Sequence, residues 1–141
     1  MTNRELRRQP STDGRAPVPT GPATARGRVR EVLLAAGLTP ETIRMAWADA
    51  MLVTSELTTN AVRHGGGLTG FSARVEAGSL ELRISDASDE LPTTRDPGNS
   101  FLPGGFGMPL VKRLCRSLDV RPEPGGGKTV VVVLPLLAAS G

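Results

Sequence analysis

The chain has no tyrosine, one cysteine, one histidine and one tryptophan, and aromatics make up only 3% of its 141 residues. Each scarcity removes a class of function. With Cys115 alone no intrachain disulfide framework forms, and a single histidine cannot join it in a multi-ligand Cys/His zinc site. That usage fits a reducing, cytoplasmic setting. No apolar run approaches the roughly eighteen residues of a membrane span. The N-terminus is rich in arginine and proline without the apolar core of a signal peptide, so a soluble, unexported protein with no membrane partner is expected. So few aromatics also leave no basic-aromatic interleaving of the kind that stacks bases.

The net charge of +3 hides an asymmetry. Residues 1–30 hold seven arginines against Glu5 and Asp13, a balance of +5, which leaves ten basic and twelve acidic residues in the rest. The folded part is slightly acidic, and direct nucleic-acid binding by it is not expected. With 38% apolar residues, a chain of this length closes one hydrophobic core but hardly two.

Residues 1–24 mix proline, threonine, arginine and glycine with almost no apolar periodicity, which predicts a disordered tail. One domain is expected over residues 25–137, with 138–141 as a short C-terminal tail. Val29, Val32, Leu33 and Ala36 fall at helical spacing before Gly37. Thr39-Pro40-Glu41 then restarts helix, with threonine as N-cap and proline in the first turn. Ile43, Trp47, Ala50, Val53, Leu57 and Ala61 carry its apolar stripe to about His64. Alternation through Phe71, Ala73 and Val75, a turn at Ala77-Gly78, and Leu80, Leu82 and Ile84 predict a β-hairpin. A polar, proline-broken stretch from Ala87 to Pro103 has the length of a lid or binding loop. A helix is predicted from Gly107 to Leu118, then strands at Asp119–Arg121 and Thr129–Leu134. Val130 to Leu134 is apolar on both faces, as in a central strand covered by helices.

Chemistry concentrates in Ser55 to Gly65, where Glu56, Asn60 and His64 recur every four residues and share one helical face. A carboxylate, a carboxamide and an imidazole in one stripe can order a metal ion, a hydroxyl and phosphate oxygens, which makes an ATP site the first hypothesis. Each residue has a plainer alternative. Glu56 alone reads as a solvated helical glutamate, and His64 as a helix-end group favourable to the dipole. Asp86 also suits a turn after a strand, and Thr129 suits a strand on its own account. Asn60 is a mediocre helix former beside the apolar stripe and asks for a partner. Cys115, on the later apolar stripe, reads as a small core residue. The glycine motifs elsewhere are incomplete: Pro122 stands five before Gly127, so Gly127-Lys128-Thr129 does not end a P-loop, and Gly105-Phe106-Gly107 does not complete a dinucleotide fingerprint. Glycine amides at the start of the Gly107 helix could still meet phosphates.

Taken in order, Glu56-Leu57-x-x-Asn60-Ala61-x-x-His64-Gly65, Asp86, Gly105-x-Gly107-Met108-x-Leu110-Val111 and Gly127-Lys128-Thr129-Val130 resemble the boxes of the Bergerat-fold ATPases, the fold of gyrase, MutL and sensor histidine kinases. The small size and the first and last boxes are most similar to the anti-sigma-factor serine/threonine kinases. The resemblance covers residues 30–136. It implies an α/β (α+β) two-layer sandwich whose mixed, mostly antiparallel sheet carries helices on one face. It also implies ATP and Mg²⁺ as ligands, with Asn60 holding the metal and Glu56 the catalytic base. Asp86 would accept from the adenine amino group, supported by Thr129 through water. Gly105, Gly107 and Met108 would flank the phosphates, with Arg63, His64, Ser88 and Lys128 as further contacts. Ser88 stands where the second box usually has glycine, Phe106 where many relatives have arginine, and Pro109 within the usual small-residue run. These departures favour ATP binding over rapid transfer. The implied function is an anti-sigma regulator that sequesters a sigma factor, phosphorylates a serine or threonine of an anti-anti-sigma antagonist, and works as a homodimer. Two alternatives are a nucleotide-binding regulatory module of the same fold without kinase activity, and a histidine-kinase-type ATPase domain.

Overall fold

The computed structural model describes residues 17–64, 66–89 and 107–136. Among them lie helices α1 (Pro22–Ala35), α2 (Pro40–His64) and α3 (Gly107–Leu114), and strands β1 (Leu68–Glu76), β2 (Ser79–Asp86), β3 (Ser117–Pro122) and β4 (Lys128–Pro135).

Helix α1 begins inside the stretch expected to be a tail. Pro22 occupies its first turn, where the missing N–H costs nothing, and Ala25, Val29 and Leu33 recur every four residues as a fully buried stripe. Upstream, Pro19 is buried and the Pro17 carbonyl accepts from the Arg28 guanidinium at 2.7 Å. That guanidinium lies 5.5 Å from the centre of the Phe71 ring. The tail expected over 1–24 is shorter in the structure: residues 17–24 pack with the domain, and small alanines and prolines signal burial weakly. Residues 1–16 and 137–141 lie outside the described residues. The C-terminus of α1 is closed by the Ala36 amide on the Leu33 carbonyl at 3.4 Å, and Gly37 turns away with φ +76°.

Helix α2 starts as its sequence predicts. The Thr39 hydroxyl accepts from the Thr42 amide at 3.1 Å, Pro40 follows as first residue, and Glu41 sits in the first turn. Its buried face holds Ala46, Ala50, Val53, Leu57 and Ala61 together with Thr54 and Thr58. Those two hydroxyls donate back to the carbonyls of Ala50 at 2.8 Å and Thr54 at 2.7 Å, which satisfies them inside the core.

The hairpin turns at Ala77-Gly78, where φ is +53° and +78°. Two successive positive φ values match the right-handed twist of the flanking strands. The sheet order is β1-β2-β4-β3, and every described pairing is antiparallel. Leu80, Leu82 and Ile84 of β2 stand opposite Leu134, Val132 and Val130 of β4, and all six belong to one core cluster with the buried residues of α1 and α2.

Two expectations about the C-terminal half change. Helix α3 stops at Leu114 rather than Leu118. The Cys115 amide still reaches the Val111 carbonyl at 3.0 Å, but the Arg116 amide switches to Val133 of β4 at 2.7 Å, and β3 begins at Ser117. Leu118 thus belongs to an alternating pattern with Val120. Cys115 packs against the core, and burial, with Asp49 adding to it, pushes its thiol up to about 11. The second difference concerns β4, whose other face carries no helix among the described residues. Val131 is nevertheless buried there, flanked by its cross-strand partners Arg83 and Asp119. Around it run the ion pairs Arg83–Glu81 at 3.3 Å and Arg121–Asp119 at 3.6 Å. No helix among the described residues is long and apolar enough to cross a membrane.

Candidate functional site

The C-terminal half of α2 and the far end of β2 meet at one edge of the sheet. Leu68, four residues past His64, is the strand partner of Asp86, and the Gly67 amide closes back onto the Ala61 carbonyl at 3.0 Å. Gly66 (φ +77°) approaches Ala87 there. Helix α2 also packs over β1, β2 and β4, and its polar stripe borders the face it turns to the sheet.

On that stripe Glu56 is half-buried, and its Oε1 is enclosed without a hydrogen-bond partner among the described residues. Burial raises its carboxyl above the ordinary 4.5. An enclosed, unmatched carboxylate oxygen is costly unless a ligand or water serves it, and a raised pKa makes it a better proton acceptor. Asn60 lies one turn later, half-buried. Arg63 and His64 are exposed in the last turn, where basic side chains suit the negative end of the helix dipole.

The second cluster sits where β2 and β4 end side by side. Asp86 is directly opposite Lys128, both facing the helices, and the Lys128 ammonium meets Asp86 Oδ1 at 2.9 Å with both side chains at most 7% exposed. The same Oδ1 accepts from the Ser88 amide at 2.9 Å, and Lys128 Nζ also reaches the Ser88 carbonyl at 3.4 Å. Gly127, just before Lys128, permits this approach. Its φ is +86°, and a Cβ there would lie 2.3 Å from the Asp86 carbonyl oxygen. Its amide donates to Asp89 Oδ1 at 2.8 Å.

Thr129 does not stand beside Asp86 as expected. Strand alternation turns it to the open face, opposite Ser85, where its hydroxyl meets the Ser85 hydroxyl at 2.6 Å and donates to the Glu123 carboxylate. Lys128 takes the place beside the aspartate. A lysine leading into a run of four valines carries a signal for this, because a lysine in a buried strand needs a carboxylate. Met108 is also reassigned: its side chain is buried in the core, which leaves only its backbone to face a ligand. Gly107 opens α3, while Gly105, Phe106, Gly65 and most of the expected lid lie outside the described residues.

These residues fit a nucleotide with its metal on two counts. The unmatched Glu56 oxygen stands one helical turn from a carboxamide that can ligate a hard cation, and a charged, hydrogen-bonding pair lies at the sheet edge that the end of α2 reaches.

A histidine kinase domain from the Erythrobacter litoralis EL346 blue-light activated histidine kinase is similar to this chain at 23% identity and a TM-score of 0.43, over 62% of this chain and 43% of that one. This chain therefore spans less than half the length of that protein's chain. No curated protein matches. The family profile of the histidine kinase-like ATPase domain matches residues 18–134, nearly all of the described region, and the chain belongs to that family of Bergerat-fold, ATP-binding domains.

Proposed function

We propose that this domain binds Mg·ATP along the Glu56–Asn60 stripe of α2 and phosphorylates a serine or threonine of a partner protein, as an anti-sigma regulator acting on its antagonist. The observation that carries this reading is the enclosed, unpartnered Oε1 of Glu56, one helical turn from Asn60. The side-chain oxygen of Asn60 would hold Mg²⁺. Mg·ATP, when bound, supplies the transferable phosphoryl group. Glu56 would take the proton from the attacking hydroxyl at Oε1, a role favoured by its raised pKa. Asp86 and Lys128 would orient the base, and the described start of α3 at Gly107 offers backbone amides to phosphate oxygens. The sigma factor would be the sequestered partner, with a second copy of this chain completing a homodimer.

Calorimetry with Mg·ATP tests the metal role, and phosphate transfer to a serine-bearing antagonist tests the base. Asn60→Ala should weaken Mg·ATP by about tenfold or more, the loss of a charge-assisted contact. Glu56→Gln should keep binding and lose transfer by about 10²–10⁴-fold. Unchanged affinity in the first variant, or unchanged transfer in the second, would remove that residue from its role.

A further inference from the structure

Adenine offers two groups on its pairing edge, an amino group that donates and N1 that accepts. A carboxylate such as Asp86 serves only the first, because it has no proton to give. The supporting role that the resemblance gives Thr129 is not open to it here: strand register turns its side chain to the open face, where Ser85 and Glu123 engage its hydroxyl. A donor for N1 has to come from the helix-facing side. The backbone donors around Asp86 are committed there, the Ser88 amide to Asp86 Oδ1 and the Gly127 amide to Asp89 Oδ1. Lys128 is not exhausted. Its ammonium has three hydrogens, and its described partners, Asp86 Oδ1 at 2.9 Å and the Ser88 carbonyl at 3.4 Å, account for two. Asp86 Oδ2 accepts nothing among the described residues, yet the enclosed and unpartnered side-chain oxygen among them is that of Glu56, so Oδ2 is not sealed. An open acceptor and a spare donor therefore belong to one ion pair.

We propose that Lys128 is the residue that reads adenine N1, donating its third ammonium hydrogen to it directly while Asp86 Oδ2 takes the amino group; this inference rests on the nucleotide reading above. Adenine then satisfies both members of the pair, and the contact to N1 is charge-assisted. In a 6-oxopurine both groups are reversed. O6 meets the carboxylate, and N1–H meets an ammonium that has no acceptor to offer. A water in the same place would turn round and accept from N1–H, so a water-mediated contact tolerates at N1 what Lys128 rejects. Both side chains are at most 7% exposed, which leaves little solvent to relieve either mismatch. Lys128 thus acts as a specificity residue, beyond neutralising Asp86.

The test is calorimetry of Mg·ATP, Mg·1-deaza-ATP and Mg·ITP on the full chain and on its Lys128→Thr variant, with a melting curve to show that the variant folds. In 1-deaza-ATP a C–H replaces N1 and the amino group stays, so the Lys128 contact alone is removed. The wild type should bind it about tenfold or more weaker than ATP, the worth of one hydrogen bond to a charged group. ITP should bind about a hundredfold or more weaker, because two contacts reverse. In Lys128→Thr the gap between ATP and 1-deaza-ATP should shrink to within about threefold, and ITP should gain on ATP by about tenfold. A wild type that binds ATP and 1-deaza-ATP within about threefold of each other overturns the inference and leaves the nucleotide reading standing. A wild type that binds none of the three overturns both. If Lys128→Thr folds and keeps the wild-type ratios, the donor to N1 is another group and the inference fails. If that variant does not fold, the wild-type ratios decide: ITP within about tenfold of ATP is the mark of a water that turns round, and overturns it.

Discussion

One step along β2 and β4 separates two unlike environments. Asp86 and Lys128 face the helices and form a nearly dry ion pair, whereas Ser85 and Thr129, their immediate neighbours, face the open side and join a neutral hydroxyl chain to Glu123. On the helix side, charge has been taken out of water and must be matched by charge. On the open side Thr129 is just as buried, but its neutral hydroxyl needs only hydrogen bonds, and the more exposed ion pairs there, such as Arg83–Glu81, are worth little individually. The difference is one of charge rather than of depth: where water is excluded, a charge needs an opposite charge, whereas a hydroxyl is satisfied by a neutral or acidic neighbour.

The sharpest way to break this contrast is Lys128→Met, which strands the Asp86 carboxylate and should cost about 3–5 kcal/mol in urea unfolding. The double variant Asp86→Leu/Lys128→Met should recover most of that loss, since the cost lies in the unmatched charge. Gly127→Ala comes next. Its Cβ would collide with the Asp86 carbonyl oxygen and its φ is left-handed, so a loss of about 2–3 kcal/mol is expected by the same measurement. Thr129→Val, on the open face, should cost only about 1 kcal/mol, the net worth of its hydrogen bonds. A loss as large as that of Lys128→Met would show that the two faces are not so different.

A pH series sharpens the comparison along α2. Glu56 has a raised carboxyl pKa in the folded state because burial disfavours its charge. The folded form therefore holds the proton more tightly, and the stability this group contributes at low pH is lost as pH rises through its ordinary 4.5 and into the raised range. Glu56→Gln should melt a few degrees above the wild type at neutral pH, with the gap closing below the ordinary value. Equal melting temperatures across the series would mean that the carboxyl is not desolvated. The smallest effect belongs to the hairpin at the opposite end of β2. Ala77→Gly should stabilise by about 0.5–1 kcal/mol, since alanine tolerates its positive φ poorly.

Much of this fold was legible residue by residue. Thr39-Pro40-Glu41 announces α2, and the alternation around Ala77-Gly78 announces the hairpin, because caps and two-residue turns are decided by neighbours in sequence. The start of α1 was harder to read. Pro19 and Ala25 are small or ring-locked residues whose burial shows only in the folded domain, where Ala25 shares a core with Phe71. The end of α3 was lost for a related reason: Leu114, Cys115 and Leu118 satisfy helical spacing, yet a hydrogen bond from Arg116 to Val133 recruits the chain into β3. Local periodicity could not weigh that long-range partner.

The site divides along the same line. From sequence alone, the four-residue interval sets Glu56 and Asn60 on one helical face, and the order of the glycine and aspartate boxes points to the ATP-binding family, because both depend on spacing within the chain. The pairing of strands decided the rest. Register between β2 and β4 put Lys128, and not Thr129, against Asp86, and the helices packed above that edge excluded the water that would have kept the two charges apart. Register and exclusion of water are properties of distant segments brought together, so tertiary structure alone determines which side chain stands against Asp86.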